Sequence, residues 1–145
     1  MFKISEEERT YKKLAEYYEN GIGVERSEQK AFELYLKSAE GGDIYTYDKL
    51  TEYYQNGMGS DQDKRKAFEY YLELAKKGYY QDQYNVGKCY HFGIGIEENI
   101  DVAVNWYEKA SCNGSINANN ALTNLLSSDQ ISQHRIARIK TLLRK

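Results

Sequence analysis

The sequence predicts an all-α chain built from repeated helix pairs, and three observations carry that prediction. Tyr18, Tyr54 and Tyr90 recur at a 36-residue offset, as do Gly21, Gly57 and Gly93, then Gly23, Gly59 and Gly95. Ala31, Ala67 and Ala103, Tyr35, Tyr71 and Tyr107, and Gly42, Gly78 and Gly114 keep the same offset, which establishes an internal repeat. Second, apolar residues follow helical spacing on both sides of each Gly-x-Gly turn. Third, Ser27, Asp63 and Asn99, all of helix-capping type, stand at one register ahead of the second helix of each copy. The expected organisation is a single domain over residues 1–145, a short solenoid with repeats at approximately 6–42, 43–78 and 79–114 and a divergent capping unit at 115–145.

Ser5-Glu6-Glu7-Glu8 reads as a capping box that starts the first helix. Tyr11, Leu14, Ala15 and Tyr18 then place an apolar stripe inward, with Lys12, Lys13, Glu16 and Glu19 on the other side. Asn20-Gly21-Ile22-Gly23 stops that helix, because glycine takes backbone angles that other residues resist. Ser27 caps a second helix whose buried stripe is expected at Ala31, Leu34, Tyr35, Ser38 and Ala39, ending at Gly41-Gly42. The second copy runs through Tyr47, Leu50, Thr51 and Tyr54, turns at Gly57-Met58-Gly59, and continues through Ala67, Tyr70, Tyr71 and Ala75 to Gly78. The third uses Val86, Gly87 and Tyr90, turns at Gly93-Ile94-Gly95, and continues through Ala103, Trp106, Tyr107 and Ala110 to Gly114. Beyond Gly114 the pattern decays: Ala118, Leu122 and Leu126 keep a stripe, Ser127-Ser128-Asp129 makes a shorter turn, and a last helix carries Ile136, Ile139, Leu142 and Leu143. A solenoid needs such a unit to cover its final apolar face, with Arg135, Arg138, Lys140, Arg144 and Lys145 as the polar outer side.

Composition narrows the function. Twenty basic residues balance 22 acidic ones, for a net charge of −2, so no global field favours nucleic acid or an anionic membrane. Met1-Phe2-Lys3-Ile4 runs straight into acidic residues, and no stretch of 18 apolar residues occurs, so the expectation is a soluble, cytoplasmic protein without membrane insertion. Cys89 and Cys112 occupy different repeat positions and read as free thiols. Fifteen tyrosines and no proline suit packing between helices. Of the tyrosine pairs, Tyr18 and Tyr54 read as core, whereas Tyr17, Tyr53, Tyr79 and Tyr80 read as exposed interface anchors.

The third copy, with Tyr84-Asn85-Val86-Gly87-x-x-Tyr90, Gly93-Ile94-Gly95 and Trp106-Tyr107-Glu108-Lys109-Ala110, resembles the Sel1-like repeat, a relative of the tetratricopeptide repeat. The resemblance spans about Tyr11 to Leu126; in copies one and two Ala15 and Thr51 replace the first glycine, and Leu34 and Tyr70 replace the tryptophan. It implies a right-handed α/α superhelix whose first helices line a concave surface, and an adaptor or scaffold function in protein–protein interaction. Carried over by register, the partner-binding face comprises Lys12, Glu16 and Glu19, then Tyr45, Asp48, Glu52 and Gln55, then Tyr84, Lys88, His91 and Phe92, then Asn120 and Asn124. Such a mixture suits a peptide or protein partner with hydrogen-bonding groups and apolar anchors. The related carboxylate clamp for chaperone tails needs an asparagine where this chain has Glu16, whose charge would repel a carboxylate.

Chemical motifs are few. Ser27-Glu28-Gln29-Lys30 fits the Ser-x-x-Lys pattern of penicillin-recognising enzymes, and the alternative function is a hydrolase or small-molecule binder of the β-lactam-binding repeat type. The corresponding residues of copy two are Asp63 and Lys66, however, which fits a cap and a repeat position rather than a nucleophile and its base. The Gly-x-Gly turns lack the preceding strand of a dinucleotide loop, and no cofactor is expected. Cys89 and His91 are two apart on a helix and point to different faces, against a shared metal ion. The basic last helix reads as the solvated face of a cap whose charge favours the helix C-terminus. Its functional alternative is weak head-to-tail self-association with the Glu6-Glu7-Glu8 end of another copy.

Overall fold

A computed structural model describes residues 6–56, 58 and 60–144, with the side chains of Glu8, Ile44, Tyr45 and Gln55 outside that description. The Ser5 capping box and the Gly57 and Gly59 turn therefore lie outside the described residues. Eight helices and no strand occur among the described residues: α1 (Glu6–Asn20), α2 (Glu28–Glu40), α3 (Ile44–Gln55), α4 (Asp61–Lys76), α5 (Tyr80–Phe92), α6 (Ile100–Cys112), α7 (Ile116–Leu126) and α8 (Gln133–Leu143). Two compact units divide the chain, unit 1 ending at Ala67 and unit 2 beginning at Phe68.

Local chemistry accounts for most of the helix boundaries. Ser27 and Asn99 cap α2 and α6 by accepting from the backbone N–H groups of Lys30 and Val102. Gly93 ends α5 in the left-handed region at φ 66°, where its N–H donates to the Cys89 carbonyl. The expected cap at Asp63 is corrected, because α4 begins two residues earlier and Asp63 lies inside its first turn. Ser60 and Asp63 form a reciprocal pair there: Ser60 Oγ accepts from the Asp63 N–H, and the Asp63 carboxylate accepts from the Ser60 N–H. A capping box in copy two thus overrides the register shared by the other two copies.

In unit 1, α2 packs against both α1 and α3. Its buried face is Ala31, Phe32, Tyr35, Leu36, Ser38 and Ala39, so Phe32 and Leu36 join the expected stripe while Leu34 is only half-buried. Ala15 and Leu50 complete this core, but Leu14, expected inward, is 36% exposed. The tyrosine assignment also needs correction: Tyr53, expected as an exposed anchor, is 5% exposed. Its ring packs edge-on against Tyr35 with centroids 5.6 Å apart, and its hydroxyl donates to Glu19. Burying that ring removes apolar area from water while the carboxylate satisfies its polar end.

In unit 2, α5 packs on α6, α6 on α7 and α8, and α7 on α8. The core runs through Ala103, Val104, Tyr107, Ala110, Ala118, Leu122, Leu125, Ile131 and Ile139, with Ile136, Leu142 and Leu143 partly buried against it. The apolar side of α8 is thus covered by α6 and α7. Gln83 donates to the Ala75 carbonyl and accepts from Asn113, tying the ends of α4 and α6 to the start of α5. Tyr79 and Tyr80 are exposed, and Trp106 is half-buried beneath the Lys109 ammonium, 4.9 Å from its ring.

Candidate functional site

The repeat register converts one architectural position into two different chemistries. Tyr35 and Tyr107 occupy equivalent positions on the second helices of copies one and three, and Glu19 and His91 occupy equivalent positions on the first helices. Each tyrosine is buried, and each looks toward the end of its preceding first helix. What lines that end differs between the units.

In unit 1, Lys12, Glu16 and Glu19 of α1, Asp48, Lys49 and Glu52 of α3, and Tyr35 of α2 line a cleft of about 450 Å³. Glu19 is half-buried in it, accepting from Tyr53 at one oxygen and pairing with Lys49 at the other, 3.2 Å away. Burial alone would raise its carboxyl, but the bond from Tyr53 and the Lys49 ammonium outweigh that and hold it below the usual carboxylate range. Burial first, and the Glu19 carboxylate second, push the Tyr53 hydroxyl in the opposite direction, well above the ordinary phenol range. Tyr53 is thus a fixed proton donor, and Glu19 a fixed acceptor.

In unit 2, the corresponding residues of α5 form an aromatic and cationic cluster. The His91 ring stacks on Phe92 at 4.1 Å between centroids, and His91 Nδ1 lies 2.9 Å from the Tyr107 hydroxyl. Lys88 Nζ sits 5.4 Å from the Tyr84 ring centroid, and Tyr84 packs against Tyr107. Burial lowers the His91 pKa, with Glu98 opposing it, and burial likewise lowers that of Lys88. In the tautomer that carries its proton on Nε2, a neutral His91 accepts a hydrogen bond from the Tyr107 hydroxyl at Nδ1. Phe92 is 60% exposed, an apolar surface beside a polar frame.

Nine of the thirteen residues expected on the partner-binding face fall into these two places: Lys12, Glu16, Glu19, Asp48 and Glu52 in the unit 1 cleft, and Tyr84, Lys88, His91 and Phe92 on the unit 2 cluster. Asn120 and Asn124 are exposed on α7, one turn apart and outside either grouping. The Tyr45 and Gln55 side chains lie outside the described residues. Periodicity missed Tyr35 as a cleft residue, since it marks a core position and carries no information on where the hydroxyl ends.

Other sequence motifs resolve into structural roles. The Ser27 hydroxyl is spent on the α2 cap, while Lys30 Nζ stands over the Tyr18 ring at 5.2 Å. Cys89 is buried and Cys112 exposed, and neither is in a disulfide. On the basic α8, Arg135 pairs with Asp101 at 3.2 Å and Arg138 with Glu108 at 3.0 Å, so part of its charge is engaged on α6. No helix among the described residues is long and apolar enough to cross a membrane.

Successive helices, with left-handed glycines turning α1 into α2 and α5 into α6 and no strand among the described residues, define a helical-repeat protein of the α/α-solenoid class. The Sel1 repeat family matches residues 11–43, 52–79 and 81–115, and the chain belongs to that family. It is similar to a solved Sel1 repeat protein from Oxalobacter formigenes, at 29% identity and a TM-score of 0.51 over 94% of this chain and 58% of that one. A protective antigen present in uropathogenic Escherichia coli strains, displaying an SLR fold, is similar in fold at 22% identity and a TM-score of 0.59, covering 94% of this chain and 29% of the other. The chain thus spans less than two thirds of either solved structure. No curated protein matches it.

Proposed function

We propose that this chain is a non-enzymatic protein-interaction module, an adaptor that displays its first-helix faces to a peptide or protein partner. The observation that carries the reading is Phe92, an exposed aromatic ring stacked on a half-buried histidine, with Lys88 and Tyr84 on the same helix. Exposed rings held rigid by a neighbour make good anchors, because little side-chain freedom is lost on binding. Membership of the Sel1 repeat family supports the same conclusion, since such repeats generally mediate protein interactions. Neither Cys89 nor Cys112 is in a disulfide, which suits a cytoplasmic setting.

The experiment compares capture of partners from lysate of the native source by wild type and by Lys88→Ala/Phe92→Ala. Tyr84 and His91 are left intact, because one packs on the core and the other bonds Tyr107. A protein enriched by wild type and lost from the variant, with helical content unchanged, is the expected result. Equal capture by two folded proteins would remove the α5 face from the interaction.

A further inference from the structure

We propose that the cleft between α1 and α3 in unit 1 binds the guanidinium group of an arginine side chain presented by a partner polypeptide. This deepens the interaction reading by giving one part of the partner a chemistry. The first support is charge: Glu16, Glu19, Asp48 and Glu52 line the cleft against two ammonium groups, of which Lys49 is paired with Glu19. An excess of carboxylate on two facing helices favours a cation.

The second support is independent of that charge. Tyr35 is 1% exposed and lines the cleft, and its buried hydroxyl oxygen has no hydrogen bond of normal geometry, although the Glu19 carboxylate is close enough to act on it. Buried polar atoms are nearly always satisfied, so an orphaned hydroxyl at the wall of an open cleft marks a place where a ligand group completes the set. Burial first, then the nearby Glu19, Glu16 and Glu52 carboxylates, hold its proton tightly. The hydroxyl oxygen is therefore available to accept from an incoming N–H.

Geometry selects arginine over lysine. Carboxylates approach from α1 on one side and α3 on the other, with the phenol oxygen of α2 as a third acceptor. A guanidinium offers five N–H donors spread around a plane and reaches acceptors in several directions at once, whereas an ammonium concentrates its donors on one strongly hydrated atom. The equivalent positions in unit 2 have the opposite character. Lys88 and His91 replace Glu16 and Glu19 there, and the Tyr107 hydroxyl is already partnered. The site belongs to unit 1.

The test is an amide-resolved NMR titration of the full chain with N-acetyl-arginine amide, N-acetyl-lysine amide, the neutral isostere N-acetyl-citrulline amide, and spermidine, at low ionic strength to limit screening. Saturable shifts around Glu16, Glu19 and Glu52 are expected with the arginine probe, at least about threefold tighter than with lysine and absent with citrulline. Glu16→Gln/Glu52→Gln is expected to weaken arginine binding about tenfold, and Tyr35→Phe about threefold, without change in helical content. No saturable shift with arginine, equal shifts with citrulline, tighter binding of spermidine than of arginine, or an unchanged titration in the double variant would each overturn the proposal. The two ideas fail separately: a silent titration alongside capture lost in Lys88→Ala/Phe92→Ala overturns the arginine site alone, whereas arginine binding alongside capture indifferent to both sets of substitutions supports the site and overturns the adaptor reading.

Discussion

His91 Nδ1 and the Tyr107 hydroxyl are 2.9 Å apart, joining the end of α5 to the buried middle of α6. The equivalent tyrosine of the first copy, Tyr35, has no such partner for its oxygen. One repeat position thus carries a satisfied phenol in unit 2 and an orphaned one in unit 1. The ring is needed at both places for packing, so the two hydroxyls can be compared at nearly constant hydrophobic content.

That comparison predicts opposite outcomes for the same substitution. Tyr107→Phe removes a hydrogen bond and leaves the half-buried His91 nitrogen short of a partner, at a cost of about 1 kcal/mol. Tyr35→Phe removes a desolvated hydroxyl that lacks a hydrogen bond of normal geometry, so stability is expected to hold or rise by up to about 1 kcal/mol. Urea unfolding of the two variants against wild type measures both. Equal destabilisation would mean that the Tyr35 hydroxyl has a native partner.

The difference between these tyrosines also marks how far the sequence can be read. Helices α2 and α6 were legible because Ser27 and Asn99 act on backbone groups three residues away, a distance local chemistry controls. Asp63 misled because Ser60, three residues before it, completes a stronger local signal that repeat alignment ignores. Tyr53 shows a different limit: adjacent residues on a helix lie about 100° apart, so a pair such as Tyr53-Tyr54 does not reveal which ring turns inward. Its burial depends on Glu19, 34 positions away, as hydrogen-bond acceptor. The repeat register anticipates a shared face for Glu16 and Glu52, and both line the unit 1 cleft. Whether a hydroxyl at the base of that cleft finds a partner depends on the packed arrangement of three helices, which no pattern of spacing contains.

His91 makes the stability of the chain depend on pH near neutrality. Burial lowers its folded pKa below the ordinary value of about 6.5, so the unfolded chain binds the proton first as pH falls. Its favourable contribution is complete above the unfolded value and is lost as pH drops toward the folded one. The melting temperature should therefore decline between about pH 7.5 and about pH 5, and His91→Gln should flatten that decline. Glu19 acts in the same direction in a separate window, because its depressed carboxyl loses its contribution only as pH falls below the usual carboxylate range. A variant that follows the wild-type curve throughout the upper window would show that His91 titrates alike in the folded and unfolded chain.

Gly87 is the position where helix propensity and packing pull in opposite directions. Glycine inside a helix costs about 0.5–1 kcal/mol relative to alanine, and copies one and two carry Ala15 and Thr51 at this register, so local preference favours replacement. A Cβ at Gly87, however, would stand 2.6 Å from both Cδ1 and Cε1 of Tyr107. That ring cannot easily retreat: it is buried, packed by Tyr84 and held at its hydroxyl by His91. Overpacking of this kind costs roughly 1–3 kcal/mol, which exceeds the propensity gain, so Gly87→Ala is expected to destabilise the chain. Combining it with Tyr107→Leu should relieve the clash and make the alanine neutral or favourable, a coupling that a double-mutant cycle in thermal or urea unfolding measures directly. A stabilising Gly87→Ala on its own would mean that the Tyr107 ring shifts freely, and the His91 bond would then be too weak to position it.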